Sequence, residues 1–374
     1  HDWRRSFPDQ VPIPQHAIEG YLIPLLLYGM ARLTIPTEKD LRWLYWVWGA
    51  FGCYLAVTAV LEVTQHWGLV FPRYIADPSL GIHFGRARGP FLQSVRLGVF
   101  LNAALAAIWI PLVWQRRGKQ AGLVAGLMLS GAVVLGTILT YTRSIWLGLV
   151  LGIVLVVKLT FHQPFRRVVL YAMIAVAVLA MPLKDRFLNL DRELGSQETL
   201  ESSRMRAVFA YVSWLMFQDR PLAGFGFGHF PHEKLPYLND RDTELRLESI
   251  RDYIHHNSYL SLLVELGGPG LAVYLMVLWS WGRLSWRLWH DQQAPDWMRG
   301  QALFGLVVLS NSLAQMAFHE VSYSPFENGV LFLVAGTVSG LCRGRKIGLT
   351  SRSSGSWEQQ ISRGTVLLRG HPAP

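Results

Sequence analysis

Residues 255–257 read His-His-Asn and stand directly before an apolar run, so two imidazoles and a carboxamide meet the start of a helix. A helix N-terminus favours anions and disfavours imidazolium, which keeps a histidine there neutral and able to accept a proton. His256 is therefore a candidate general base, with His255 and Asn257 beside it in support. A second group of residues is cationic: Arg143 in YTRS, Arg204 and Arg206 in ESSRMR, Arg86 and Arg88 in GRARG. Guanidinium forks match phosphate oxygens, so several converging on one face would clamp a diphosphate. Simpler readings stay open: the histidines as interfacial polar residues satisfied by backbone and water, and Arg143 as a headgroup anchor that snorkels to the membrane surface.

The elements that must position these groups are membrane helices. Of 374 residues, 51% are hydrophobic and 16% charged, with 15 Trp, whereas soluble domains carry about 25% charged residues. The apolar residues fall in blocks long enough to cross a bilayer. Nine spans are expected, at 19–36, 41–63, 92–115, 121–141, 144–161, 166–183, 257–282, 299–319 and 325–342, the first broken by Pro24. The fold class is thus all-α, a polytopic helix bundle. The net charge of +10 is not a nucleic-acid signature here, because basic residues gather in the cytoplasmic loops of such proteins. QRRGK at 115–119, HQPFRR at 162–167 and CRGRK at 342–346 take that side, as do Arg283, Arg287 and Arg299.

The alternation puts three segments outside: Thr64 to about Phe91, the turn at 141–144, and the long loop 184–256. Its stretches 199–218 and 240–254 mix charged and apolar residues as surface helices do. HEVSYSPFEN at 319–328 contains neither Lys nor Arg and joins the outer side. The expected domain is a transmembrane unit over 1–347 including loop 184–256, followed by a disordered cytoplasmic tail at 348–374. Cys53 and Cys342 sit in or at the end of apolar blocks, which argues against a structural disulfide.

Other motifs carry less. Asp-Arg-Asp at 240–242 resembles a metal-holding Asp-x-Asp, but an arginine occupies its centre. His229, His232, His255 and His256 show no tight ligand pairing, so no metal is expected. GFGFG at 224–228 has no strand before it and is not a dinucleotide site. Glu265 lies two turns into a membrane helix, where it either tunes the site or pairs with a neighbour.

Four stretches, in order, resemble the O-antigen ligase and polymerase superfamily of bacterial envelope enzymes. HNSYLSLLVELGGPG matches its His-Asn followed nine residues later by Gly-x-x-Gly, at His256, Asn257, Gly267 and Gly270. RMRAVFAYVSWLMFQDRPLAGFGFGHF is similar to its Arg–helix–Pro-x-x-Gly-x-Gly, at Arg206, Pro221, Gly224, Gly226 and Gly228. TRSIWLGLVLG resembles its Ser/Thr-Arg turn at Arg143, and GRARGPFLQSVRLGVFL the stretch before a middle helix. The family has Trp four residues after the loop arginine where this chain has Ala210, which leaves Arg204 and Arg206 both open as the counterpart. It commonly has about a dozen helices, implying about three more ahead of His1.

The resemblance implies inverting, metal-independent transfer of a polysaccharide from undecaprenyl diphosphate to the lipid A core oligosaccharide, at the periplasmic face of the bacterial inner membrane. In it His256 is the base and Arg143 and Arg206 hold the diphosphate, with no cofactor. Its alternatives are an O-antigen polymerase of the same superfamily, whose acceptor is another lipid-linked chain, and, in a different class, a lipid-linked oligosaccharide transporter. A transporter should carry charged residues near the middle of several spans; here they cluster at one face.

Overall fold

The computed structural model describes residues 12–34, 36–114, 120–161, 195–240 and 242–346, with a few positions between 163 and 171. Among the described residues all regular structure is helical. The first rod, α1, runs from Ile13–Ala17 through a π-helical stretch, Ile18–Leu22, into Ile23–Thr34. Then come α2 (Glu38–Val63), α3 (Ser94–Trp114), α4 (Gln120–Ile138), α5 (Arg143–Thr160), α6 (Gly195–Asp219), a single turn α7 (Phe230–Glu233), α8 (Ser258–His290), α9 (Asp296–Met316) and α10 (Pro325–Lys346).

Five stretches are long and apolar enough to cross a membrane: Glu38–Val63, Ser94–Pro111, Arg143–Thr160, Ser258–His290 and Pro325–Lys346. The protein is a multi-pass membrane protein. Three further expected spans are helical without reaching that standard: α1, α4 and α9. For α9 the reason is its position. It packs against α3, α5, α8 and α10, so its polar residues face protein and not lipid. Buried Gln301 accepts from Tyr45 Oη (2.8 Å) and donates to Thr337 Oγ1 (2.6 Å), while Asn311 Oδ1 accepts from Asn102 Nδ2 (3.3 Å). The expected span 166–183 and tail 348–374 lie outside the described residues, as does the start of the loop 184–256.

Pro24 is accommodated, not a break. Having no N–H, it cannot bond to the carbonyl one turn back, and Asn328 Nδ2 from α10 fills that vacancy by donating to Gly20 O (2.7 Å). Of the two stretches expected to be surface helices, 199–218 is helical, inside α6, and 240–254 is not. That stretch has one 3-10 turn, Leu247–Ile250. Asp240 Oδ1 accepts from Asp242 N (3.0 Å) and Thr243 Oγ1 from Leu245 N (3.2 Å). Such short side-chain-to-backbone bonds satisfy the donors that a helix would otherwise need.

Two cores result. One lies among α2, α3, α8, α9 and α10, around Tyr45, Trp48, Trp281 and Phe304. The other is smaller and joins α6 to the segments before α8, through Phe209, Val212, Met216, Phe225, Phe230, Ile250 and Val264. This second core fixes α6 over the start of α8.

Candidate functional site

The start of α8 is set by Asn257, whose side chain accepts from Leu260 N (3.0 Å) and so caps the helix. Capping with a carboxamide requires extended backbone at the cap, φ −152° and ψ 112°, so His255 and His256 precede the helix. Extended chain sends consecutive side chains to opposite sides, and the pair divides accordingly.

His255 goes inward. It is 2% exposed and packs on Phe209 and Phe230. Its Nδ1 accepts from Asn257 N (3.0 Å), which places the proton on Nε2, and Nε2 donates to Ser213 Oγ (2.8 Å). Burial, then the neighbouring His256 and Lys234, push its imidazole down to about 3. Both nitrogens are engaged and the ring stays neutral; its place is structural.

His256 lines a cavity of about 190 Å³ with Arg206, Phe209, Ala210, His255, Asn257, Leu260, Ala317 and Phe318. It meets the Phe209 ring edge-on at 5.3 Å and hydrogen-bonds to no described residue. Burial lowers its basicity, and Arg206 and Lys234 add to the effect, so the neutral form is held. Arg206, on α6, places its guanidinium over the Phe318 ring at 5.5 Å. No carboxylate is among the lining residues. A cation and a neutral imidazole in a pocket whose described lining holds no carboxylate suit an anionic ligand with a proton to lose nearby.

The other expected residues are placed variously. Arg143 is exposed at the first position of α5, and its neighbour Ser144 bonds through Oγ to His319 Nε2 (2.7 Å). Arg204 is exposed on α6 and does not line the cavity. Arg86 is half-buried in the segment before α3, outside the lining as well. Arg88 is 1% exposed and engaged elsewhere. Its guanidinium donates to the carbonyls of Leu80 (2.6 Å), Ile75 (2.9 Å) and Asp77 (3.3 Å), stitching the segment after α2 together. Glu62 at the end of α2 accepts from the Arg88 and Gly89 backbone N–H groups (3.1 and 2.7 Å).

The glycines form a seam behind the cavity. Gly267 has φ 70° and ψ −179°, which breaks α8, and Pro269 just beyond contributes no N–H. Carbonyls released by the break are met by the glycine turn: Phe225 N donates to Val264 O (3.0 Å) and Gly226 N to Glu265 O (2.9 Å). Gly268 N returns a bond to Pro221 O (2.8 Å). A Cβ on Gly224, at φ +63°, would lie 2.4 Å from Glu265 O, and one on Gly267 2.5 Å from Leu222 O. The two chains touch backbone to backbone. Gly228 N donates to Glu265 Oε2 (2.9 Å), and Tyr323 Oη bonds to the same oxygen. Glu265, open between two roles in the sequence, thus holds the turn to α8. Gly270 continues α8 past the break.

Four residues at the site escaped the sequence reading. Ser213 holds His255. Lys234, fully buried, donates from Nζ to Ile250 O (2.5 Å) and to Tyr253 O, tying down the approach to His255; burial pushes its ammonium down to about 8. Phe318 lines the cavity just past the end of α9, and His319 follows it outside the lining. Only their place in an outer turn was visible beforehand. Asp240 of the Asp-Arg-Asp stretch accepts from Tyr211 Oη (2.7 Å), and among the described residues no group of three or more His, Cys, Asp or Glu could hold a metal ion.

No curated protein matches the chain. A family model described as O-antigen ligase matches residues 132–275. That stretch includes Arg143, Arg206, the glycine turn, the His-Asn pair and the break in α8, while the α9 end of the cavity lies beyond it. Over residues 132–275 the chain is therefore similar to the O-antigen ligase family.

Proposed function

We propose that this protein is an O-antigen ligase. It takes polysaccharide from undecaprenyl diphosphate and joins it to the lipid A core oligosaccharide, at the periplasmic face of the bacterial inner membrane. The observation that carries the reading is the shared cavity of Arg206 and His256, with no carboxylate in its lining.

In this mechanism Arg206, with Arg143 from the start of α5, holds the diphosphate. The acceptor hydroxyl gives its proton to His256 as its oxygen forms the bond to the anomeric carbon. The bond from that carbon to the diphosphate oxygen breaks, and undecaprenyl diphosphate leaves with the electron pair. His256 then releases the proton to water. One displacement inverts the anomeric centre. The leaving group is already stable, so the protein's task is to stabilise developing negative charge, which preorganised cations do.

The test is transfer by purified protein from lipid-linked O-antigen to core oligosaccharide, in EDTA. Labelled core product supports the reading. Product that appears only when the acceptor is a second lipid-linked chain identifies a polymerase and overturns it. Activity lost in EDTA and restored by Mg²⁺ replaces the arginine-only clamp with a metal.

A further inference from the structure

The two residues assigned to opposite ends of the reaction, Arg143 and His256, stand on different helices. α5 and α8 each pack along α9, so the distance between their N-termini depends on what α9 presents at its C-terminal end. That end continues into the turn Ala317–Val321, which bonds to both helices.

Toward α5 the bonds are Gln315 Nε2 to Ser144 O (2.9 Å) and the His319 Nε2 contact with Ser144 Oγ (2.7 Å). Toward α8, Asn257 Nδ2 donates to Ala317 O (3.0 Å) and Ser258 Oγ to His319 O (3.0 Å). Val321 N donates back to Ser258 Oγ (2.9 Å). Toward α6, Phe318 lies under the Arg206 guanidinium. One short turn therefore touches the residue after Arg143, the two residues after His256, and Arg206 itself. It lies outside the family match.

We propose that Ala317–Val321 is a strap that sets the spacing of Arg143 and Arg206 relative to His256, with His319 as its positioning residue. The role of His319 rests on the proposed transfer reaction, whereas the spacing does not. His319 does not line the cavity and acts through Ser144. Burial, together with facing His256, Arg206 and His83, pushes its imidazole down to about 4, so the link to Ser144 is made by a neutral ring. A link of this kind matters because a displacement of about 1 Å at a reacting group can lower a rate about 100-fold.

Two measurements test this. In the transfer assay, His319→Ala and Ser144→Ala should each lower kcat about 10-fold or more while leaving KM for the lipid-linked donor within about 3-fold, the pattern of lost transition-state alignment. The double variant should be no worse than either single one, since both remove one bond, and His319→Gln should restore part of the rate. Additive losses, or a raised KM at unchanged kcat, overturn the role of His319.

The second measurement needs no activity. Spin labels at Leu147→Cys and Tyr253→Cys, both exposed (40% and 48%), in a Cys53→Ser/Cys342→Ser background, report the α5-to-α8 spacing by pulsed dipolar spectroscopy. A narrow distance distribution that shifts or broadens on Ser144→Ala or His319→Ala supports the strap. An unchanged distribution overturns it, whatever the transfer assay shows. Absence of transfer by the unsubstituted protein with a shifted distribution sinks the ligase reading and leaves the strap standing.

Discussion

The cavity meets α8 at its start and the glycine seam meets it at Val264–Gly268, and they treat polar groups in opposite ways. In the seam every carbonyl released by the break at Gly267 that is named above meets an N–H of the 221–228 turn. In the cavity Arg206 and His256 meet aromatic rings and, among the described residues, no counter-ion. The adjacent histidines repeat the contrast, since both nitrogens of His255 are bonded and neither nitrogen of His256 bonds to a described residue. Arginine does so too: Arg88 has its donors on carbonyls of its own loop, and Arg206 is exposed at the cavity. Arg206 is exposed and His256 half-buried, so both can be reached from solvent, whereas His255 and Arg88 cannot.

The largest effect should come from separating the histidines. His256→Ala is expected to lower transfer about 10²–10⁴-fold, the range for loss of a general base, with binding of undecaprenyl diphosphate retained. His255→Ala should instead lower the melting temperature, because it leaves Ser213 buried without its partner. Equal loss of transfer at normal stability in both variants would break the comparison.

Next in size is the seam. Gly224→Ala forces a left-handed residue to carry a Cβ, about 1–2 kcal/mol for the backbone alone, and sets that Cβ against Glu265 O. A lowered thermal midpoint in detergent is expected, with the rate per folded molecule little changed. A variant as stable as the parent would mean that the turn and α8 can move apart.

A smaller effect distinguishes the arginines. Arg206→Ala should weaken binding of undecaprenyl diphosphate about 10-fold, with partial recovery in Arg206→Lys, since an ammonium lacks the bidentate fork. Arg88→Ala should lower stability by releasing the 64–91 segment. Weakened binding in the stable fraction of Arg88→Ala, with none in Arg206→Ala, would reverse the two assignments.

The smallest is a shift in pH dependence. In the proposed reaction the neutral form of His256 is the active one, and its basicity is below that of a free imidazole, about 6.5, because of burial and then Arg206 and Lys234. Transfer should therefore survive mild acid and fall only at lower pH. Removing the positive charge in Arg206→Ala makes imidazolium easier to form, which moves the acid limb of kcat upward toward 6.5. An acid limb that stays in place would show that Arg206 does not act on His256.

Much of this was readable from residues alone. Apolar blocks of bilayer length reveal helices because a lipid-facing segment must close its backbone bonds internally, and α2, α3, α5, α8 and α10 are the long ones. The Gly-x-Gly-x-Gly and Gly-x-x-Gly spacings marked places where only glycine fits. His256 and Asn257 stood out as an imidazole and a carboxamide before an apolar run, and Arg206 as an arginine on the outer side within a motif similar to the family's. The strand-free, helical character of the described chain follows from the same pattern.

What tertiary structure alone decided is which polar groups are satisfied. His255 and His256 are chemically identical and adjacent, and only Ser213, on a helix 42 residues earlier, separates their fates. Arg88 and Arg206 read alike until the carbonyls of Ile75, Asp77 and Leu80 are seen around one of them. His319 gave no local signal, because its meaning lies in Ser144, 175 residues away. A hydrogen bond across such separations depends on how helices pack, and packing has no period in sequence. The sequence by itself determined a membrane helix bundle with cationic and imidazole groups at one end. The fold decided which of those groups stay open to a ligand.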